Sequence, residues 1–264
     1  MLKKRLIPCM LLQNGQIVKS IGFSDYQIIG NPKIAIKFFN AWSVDEIIFL
    51  DISREKEYTK RIRTDYNFKM LYSFAEIVLE CAKICFVPLT AGGGIKTIDD
   101  MLVLFKSGVD KVCINTYAAK TPNLITESAR KFGSQAIVVS IDVKKKSNGK
   151  YEVFIAGGSE STGLDPVNWA VKAQKLGAGE IFLNSIDKDG SLSGYDLGLI
   201  KSVTSAVNIP VIACGGVGKW QDLVDGIKIG NAIAVSAANI FHFTEQSTKH
   251  AKKYMVDSGI DVRI

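Results

Sequence analysis

Short apolar, β-branched runs alternate along the chain with longer amphipathic stretches. Eight runs stand out: RLIPCMLL (5–12), EIIFLDI (46–52), CFVPLTA (85–91), KVCINT (111–116), AIVVSIDV (136–143), EIFLNSI (180–186), PVIACGG (210–216) and AIAVSAA (232–238). Near-continuous apolar runs of this length suit strands buried on both faces of a parallel sheet. Between them lie helix-like segments such as PKIAIKFFNAW, TIDDMLVLFKSG, DPVNWAVKAQKLG and DLGLIKSVTSAV. Several end in Gly, a common helix stop. Eight buried strands joined by helices predict an α/β fold, a closed (β/α)8 TIM barrel. Asn148-Gly149, between the extended segments of 143–163, predicts a hairpin. Residues 54–72, REKEYTKRIRTDYNFKMLY, form a long charged insertion after the second run. It reads either as a solvated loop or extra helix, or as a substrate lid or partner surface.

The pattern also repeats. PLTAGGGIKTIDDMLVLFKSG (88–108) lines up with PVIACGGVGKWQDLVDGIKIG (210–230), and VDEIIFLD (44–51) echoes AGEIFLNS (178–185). The second half reads as a copy of the first, with half-barrels at approximately 1–130 and 131–264. No Pro/Ser linker divides them, so residues 1–264 are expected to form a single domain. A half-barrel repeat places two equivalent sites on opposite sides of one barrel mouth.

Length and charge fit this picture and narrow it. The 264 residues suit one barrel. The net charge of +7 reflects either a basic solvated surface or a phosphorylated or otherwise anionic small-molecule substrate. Nucleic acid is not expected, because the positive charge is not interleaved with exposed aromatics and no recognition motif is present. No apolar run is long enough to span a membrane. The opening MLKKRLIPCMLL faintly resembles a signal peptide, but its apolar run is short and leads into a polar turn, so a cytoplasmic protein is expected. Of the five cysteines, only Cys81 and Cys85 are close in sequence, with no His nearby to complete a metal site. Cys9, Cys113 and Cys214 fall inside apolar strands and read as buried thiols in a reducing compartment. The only histidines are His242 and His250, which disfavours a His-based triad. Acid–base chemistry falls to Asp, Glu, Lys or Cys; no metal or cofactor is expected.

Barrel chemistry gathers at the C-terminal ends of the strands. There the chain offers Gly92-Gly93-Gly94 and Gly215-Gly216, each opening a helix. Such glycines either make a tight turn or let the backbone approach an anion. Their repeat-related positions, each beside a strand end (Asn115-Thr116; Ala238-Asn239), suggest two phosphate-like sites that one double-ended ligand bridges. In the fifth run, alternation points Val138, Ser140 and Asp142 the same way. Asp142 is then a general acid/base candidate, or an Asp that holds a loop. Asp51, Asp187 and Asp189 are weaker candidates. At the opposite end, Arg5, Glu46, Lys111 and Glu180 each start a strand. With inward parity they ring the barrel floor, as a structural plug or as a gate.

Taken together, KKRLIPCMLLQNGQIVK, DEIIFLDIS, PLTAGGGIK, DKVCINT, KFGSQAIVVSIDVK, STGLDP, LGAGEIFLNSIDKDGSLSGYD and IPVIACGGVG make the chain resemble, nearly end to end, the cyclase subunit of imidazole glycerol phosphate synthase. The resemblance implies a two-fold-repeated barrel that binds a doubly phosphorylated substrate. It implies ammonia arriving through the barrel from a glutaminase docked on the N-terminal face. By the same resemblance, Arg5, Glu46, Lys111 and Glu180 match the charged gate, and Asp110 the glutaminase interface. Gly94, Asn115 and Thr116 match one phosphate site; Gly190, Gly216, Ala238 and Asn239 match the other. Lys19 matches the lysine of a mobile loop over the active site, and Asp142 one of two catalytic aspartates.

The first strand departs from the family. Where the family reads CLDVKDG, this chain reads CMLLQNG, so Leu11 stands at the other catalytic position and Asn14 replaces a nearby acid. Asn184 replaces a small polar residue at the end of the sixth strand. Leucine moves no proton, and the loss of one acid–base group costs about 10²–10⁴-fold. A divergent branch with CMLL-type or CLLL-type first strands resembles proteins of surface-polysaccharide clusters. There the barrel, with its glutaminase, supplies ammonia to a sugar amidotransferase that converts an acetamido group of a nucleotide-linked sugar to acetamidino. That function is the leading expectation. A working cyclase in histidine biosynthesis is the alternative, and a non-catalytic binding or scaffold barrel is a third reading.

Overall fold

The structure, a computed structural model, describes residues 3–53, 58, 73–242 and 245–264. The chain opens with strand β1 (Arg5–Gln13), a hairpin of β2 (Gln16–Ile21) and β3 (Asp25–Gly30), helix α1 (Pro32–Ala41) and β4 (Ile47–Asp51). It continues through α2 (Phe74–Ala82), β5 (Leu89–Gly92), α3 (Ile98–Lys106), β6 (Lys111–Ile114), α4 (Thr116–Lys120) and α5 (Asn123–Phe132). The second half comprises β7 (Ile137–Lys145), β8 (Tyr151–Ile155), β9 (Glu160–Ser161), α6 (Pro166–Leu176), β10 (Glu180–Ser185), α7 (Leu197–Thr204), β11 (Val211–Cys214), α8 (Trp220–Lys228), β12 (Ala234–Ala237) and α9 (Ser247–Asp257).

Eight of these strands pair in parallel and close on themselves. The order runs β10, β11, β12, β1, β4, β5, β6, β7, and β7 returns to β10 with Asp142 opposite Asn184. This is a (β/α)8 barrel. Strands β1 and β7 are four steps apart in either direction, so Leu11 and Asp142 rise on opposite walls. The helices start where side chains satisfy their free amides. Asn31 accepts from Lys33 N (2.9 Å) ahead of Pro32, and Thr97 and Asp100 form a reciprocal capping box. Gly177, at φ +112°, ends α6 in a left-handed turn.

Two expectations shift. The third barrel strand begins at Leu89, not at Cys85: Phe86 is 86% exposed and Pro88 has no amide to donate to a ladder. The β2–β3 hairpin was not among the expected strands. Its first strand follows β1 through the two-residue turn Asn14 (φ +48°) and Gly15 (φ +81°), which suits a tight β1–β2 hairpin, and β2 then turns at residues 22–24 to pair with β3. Strand β3 is largely exposed, so it lacks the buried run by which the barrel strands are read. The Asn148-Gly149 turn forms as expected, joining β7 to β8. The insertion at 54–72 lies outside the described residues except for Tyr58, which is buried and donates to Asp51 Oδ2 (3.1 Å).

The inward residues form their own core inside the barrel: Ile7, Cys9, Ile48, Cys113, Val138, Phe182, Ile212, Cys214 and Ala234, with Leu11, Leu50 and Ala238 packed on its upper edge. The larger core lies between barrel and helices. A buried ion pair ties the ends of the chain together. Lys252 Nζ of α9 meets Asp45 Oδ1 at 2.8 Å, and Asp45 Oδ2 accepts from Leu6 N at 2.8 Å.

Candidate active site

The floor of the barrel carries a closed ring of charge. Arg5 bridges Glu46 (2.7 Å) and Glu180 (2.9 Å); Lys111 bridges the same two carboxylates at 2.7 and 3.1 Å. Cations and anions alternate, so each carboxylate oxygen has its own partner. Thr90 Oγ1 also donates to Glu46 Oε1 (3.1 Å). Burying these charges is tolerable because all are paired and hydrogen-bonded. Above the ring the lumen is lined mainly by apolar side chains, with the hydroxyls of Ser140 and Ser236 among them, as far as Asp142. Asp110 sits on the same N-terminal face, where its carboxylate accepts from Leu89 N (2.8 Å).

Asp142 is the carboxylate at the mouth. It is 8% exposed, accepts from Asn115 Nδ2 at 2.8 Å, and has Ser140 Oγ at 3.4 Å. Burial pushes its pKa up to about 7, against the pull of the Ser140 and Asn115 hydrogen bonds. At neutral pH both protonation states are populated, which suits a group that takes and returns a proton. Across the lumen Leu11 packs with Leu50 on the apolar core and offers no second proton carrier. The lumen thiols do not replace it: the Cys9 thiol is pushed well up by its hydrogen bond with Cys214 and by burial, and that of Cys113 by burial. His242, pushed down to about 4 by burial, packs edge-on against Phe39 of α1.

The other acidic candidates hold loops. Asp51 accepts from Ser53 N and Oγ and from Tyr58, and Asp187 accepts from Lys145 N (2.7 Å). Asp189 latches the β2–β3 hairpin across the mouth, accepting from Ser20 Oγ (2.6 Å) and Phe23 N (3.2 Å). Lys19 therefore lies in a strand, β2, paired with Gln27 of β3, and not in a loop.

The residues of the two expected anion sites differ in their surroundings. Gly190, Gly216, Ala238 and Asn239 line one small cleft with Gly215. Gly216, at φ +105°, has no room for a Cβ, which would meet Gly194 O at 2.3 Å. Asn239 Nδ2 donates to Ser20 O (2.9 Å), so the hairpin also closes this side. In the other half Gly94, at φ +63°, faces open space. Asn115 there turns its side chain to Asp142, and Thr116 Oγ1 accepts from Ala156 N at 3.1 Å. The repeat position and the family resemblance both point Asn115 to a phosphate site, and neither shows its bond to Asp142. Both residues end neighbouring barrel strands at inward positions, which was the only signal for it. A separate cleft of about 570 Å³, lined by Lys145, Tyr151, Asp187, Lys188 and Asp196, lies beside the mouth; of the candidate residues it holds Asp187, whose carboxylate is engaged by Lys145 N.

No described helix is long and apolar enough to cross a membrane. The family described as "Histidine biosynthesis protein" matches residues 5–247. A curated relative, the imidazole glycerol phosphate synthase subunit HisF of Alkaliphilus metalliredigens (strain QYMF), is 44% identical over 263 residues, covering 100% of both chains. With a closed eightfold barrel, a match over nearly its whole length and this full-length relative, the chain belongs to the histidine biosynthesis family of HisF-like barrels.

Proposed function

We propose that this chain is the barrel subunit of a glutamine-dependent synthase of the imidazole glycerol phosphate type. A glutaminase docks on the N-terminal face, around Asp110 and the charged ring. Ammonia enters between Arg5, Glu46, Lys111 and Glu180 and crosses the apolar lumen as a neutral molecule. A substrate with two anionic ends spans the mouth, one end at Gly190, Gly216, Ala238 and Asn239 and the other near Gly94 and Thr116, with Lys19 above it. Asp142 moves the proton. The observation that carries this reading is the line-up on one axis: a ring of four paired charges, a mainly apolar bore and the buried carboxylate of Asp142. The test is turnover of the doubly phosphorylated phosphoribulosyl substrate with ammonium salt, read as imidazole glycerol phosphate. Absence of product from folded protein rejects the cyclase assignment.

Leu11 favours a second reading. With one wall of the mouth apolar, the barrel conducts ammonia without closing a ring and supplies a sugar amidotransferase that makes an acetamidino sugar of a surface polysaccharide. The full-length relative is named imidazole glycerol phosphate synthase subunit HisF, which supports the cyclase reading over this one. Glutamine-dependent amidination of a nucleotide-linked acetamido sugar by the reconstituted three-protein mixture, with no cyclisation, reverses that order.

A further inference from the structure

Four buried polar side-chain atoms lack a hydrogen-bond partner among the described residues: Asn115 Oδ1, Asn184 Oδ1, Ser236 Oγ and Asn239 Oδ1. All belong to the ends of β6, β10 and β12, around one mouth. Unmatched buried acceptors are destabilising and rare, so their convergence calls for an explanation. For Asn115 and Asn239 the amide orientation is fixed, because each Nδ2 donates to an oxygen, Asp142 Oδ2 and Ser20 O respectively.

Asn184 has the most telling position. It stands in register with Asp142 on one side and with Cys214 on the other. Its amide oxygen lies where a Cβ on Gly215 would come within 2.7 Å, and Gly215, at φ +95°, leaves that space clear. Gly215 lines the same cleft as Gly190, Gly216 and Asn239. The oxygen of Asn184 therefore stands between that cleft and the carboxylate of Asp142. The opposite wall, Leu11 and Leu50, offers no hydrogen bond. No described residue hydrogen-bonds this oxygen.

We propose that Asn184 is a substrate-binding, specificity-determining residue. Its amide oxygen accepts a hydrogen bond from a hydroxyl or N–H on the stretch of ligand between an anionic end at Gly190 and Gly216 and the atom served by Asp142. The ligand class is a phosphorylated molecule with a neutral donor close to its phosphate end. This rests on the reading of the mouth as a site for a doubly phosphorylated substrate.

The experiment compares wild type with Asn184→Leu and the smaller Asn184→Ala. Each is titrated calorimetrically with the phosphoribulosyl substrate and, separately, with inorganic phosphate, and each is melted without ligand. Both variants are expected to bind substrate about ten-fold more weakly, as for one lost hydrogen bond. Phosphate binding stays unchanged, and the melting temperature holds or rises because an unmatched acceptor has gone. Substrate binding within roughly two-fold of wild type, or a lowered melting temperature with substrate and phosphate weakened alike, overturns the proposal and makes Asn184 structural. Wild type that fails to bind the substrate overturns it as well. Wild type that binds but does not cyclise the substrate defeats the cyclase assignment and leaves this inference standing.

Discussion

Replacing Asp142 by Asn should stabilise the fold, and by an amount that grows with pH. The isosteric amide fits. Its oxygen can take the hydrogen bond from Asn115 Nδ2, and its nitrogen can donate to Ser140 Oγ. What it removes is the penalty for ionising a carboxyl that burial has pushed from 3.8 up to about 7. Below pH 3.8 the acid is protonated whether folded or not, and the penalty is absent. Between 3.8 and 7 the unfolded chain ionises and the folded one does not, so the wild type loses about 1.4 kcal/mol per pH unit. Above 7 the loss levels off at about 4 kcal/mol. At pH 5 it is about 1.6 kcal/mol. Urea denaturation of both proteins at pH 5 and pH 8 should therefore show Asp142→Asn more stable at each, with an advantage larger by roughly 2–3 kcal/mol at pH 8. A difference that does not change with pH, or a variant less stable at pH 8, refutes the raised pKa and the acid–base role built on it. The same substitution should remove any proton-transfer activity, the usual exchange of stability for function at a buried charge.

Leu11→Asp places a carboxylate beside Leu50 and should raise ammonium-driven cyclisation. A positioned acid–base group contributes about 10²–10⁴-fold, but the variant should fall short of the family's rate because Asn14 and Asn184 also differ; full recovery contradicts this. Lys111→Met leaves Glu46 and Glu180 sharing Arg5 alone. In the complex with glutaminase, glutamine-driven turnover should fall relative to ammonium-driven turnover by roughly ten-fold, the scale of a lost charge-assisted hydrogen bond; an unchanged ratio removes the ring from the conduit. Lys252→Met strands the buried Asp45 carboxylate and should cost about 3–5 kcal/mol in urea denaturation, whereas Asp45→Asn combined with Lys252→Met should cost clearly less; equal losses contradict a coupled pair.

The barrel was legible because its strands are buried on both faces, as in the run Ile137–Val143, where every residue is buried. Arg5, Glu46, Lys111 and Glu180 are legible as charges at strand starts, but only the fold shows that all four point inward. The hairpin over the mouth was not legible, for β3 is mostly exposed and carries no buried run. Asp189 reads in sequence as a turn residue or an acid. Only the fold shows that its carboxylate reaches Ser20, 169 positions earlier. The Asp45–Lys252 pair spans 207 positions and leaves no local trace. Asn115 reads from the half-barrel repeat as part of an anion site, and its bond to Asp142 appears only once β6 and β7 lie side by side.

The two facing walls of the mouth, one drawn from both halves of the repeat and the other from the first alone, differ in chemistry. Around Asp142 the arc from β6 to β10 presents Asn115, the carboxylate and Asn184, all hydrogen-bonding groups. The facing arc presents Leu11 and Leu50. Ring closure by two positioned carboxylates divides the proton transfers between opposite walls. Here a single group must do both, or water must do one. A carboxyl with a pKa near 7 is suited to doing both in turn, because its protonated and ionised forms are nearly equal in free energy at neutral pH. The cyclase reading therefore requires a rate about 10²–10⁴-fold below that of a two-acid site and a pH profile with one ionisation near 7. The ammonia-supply reading requires neither. Single-turnover cyclisation measured from pH 5 to pH 9 separates them: a slow reaction with one break near 7 supports Asp142 acting alone, and a flat baseline assigns the barrel to conduction.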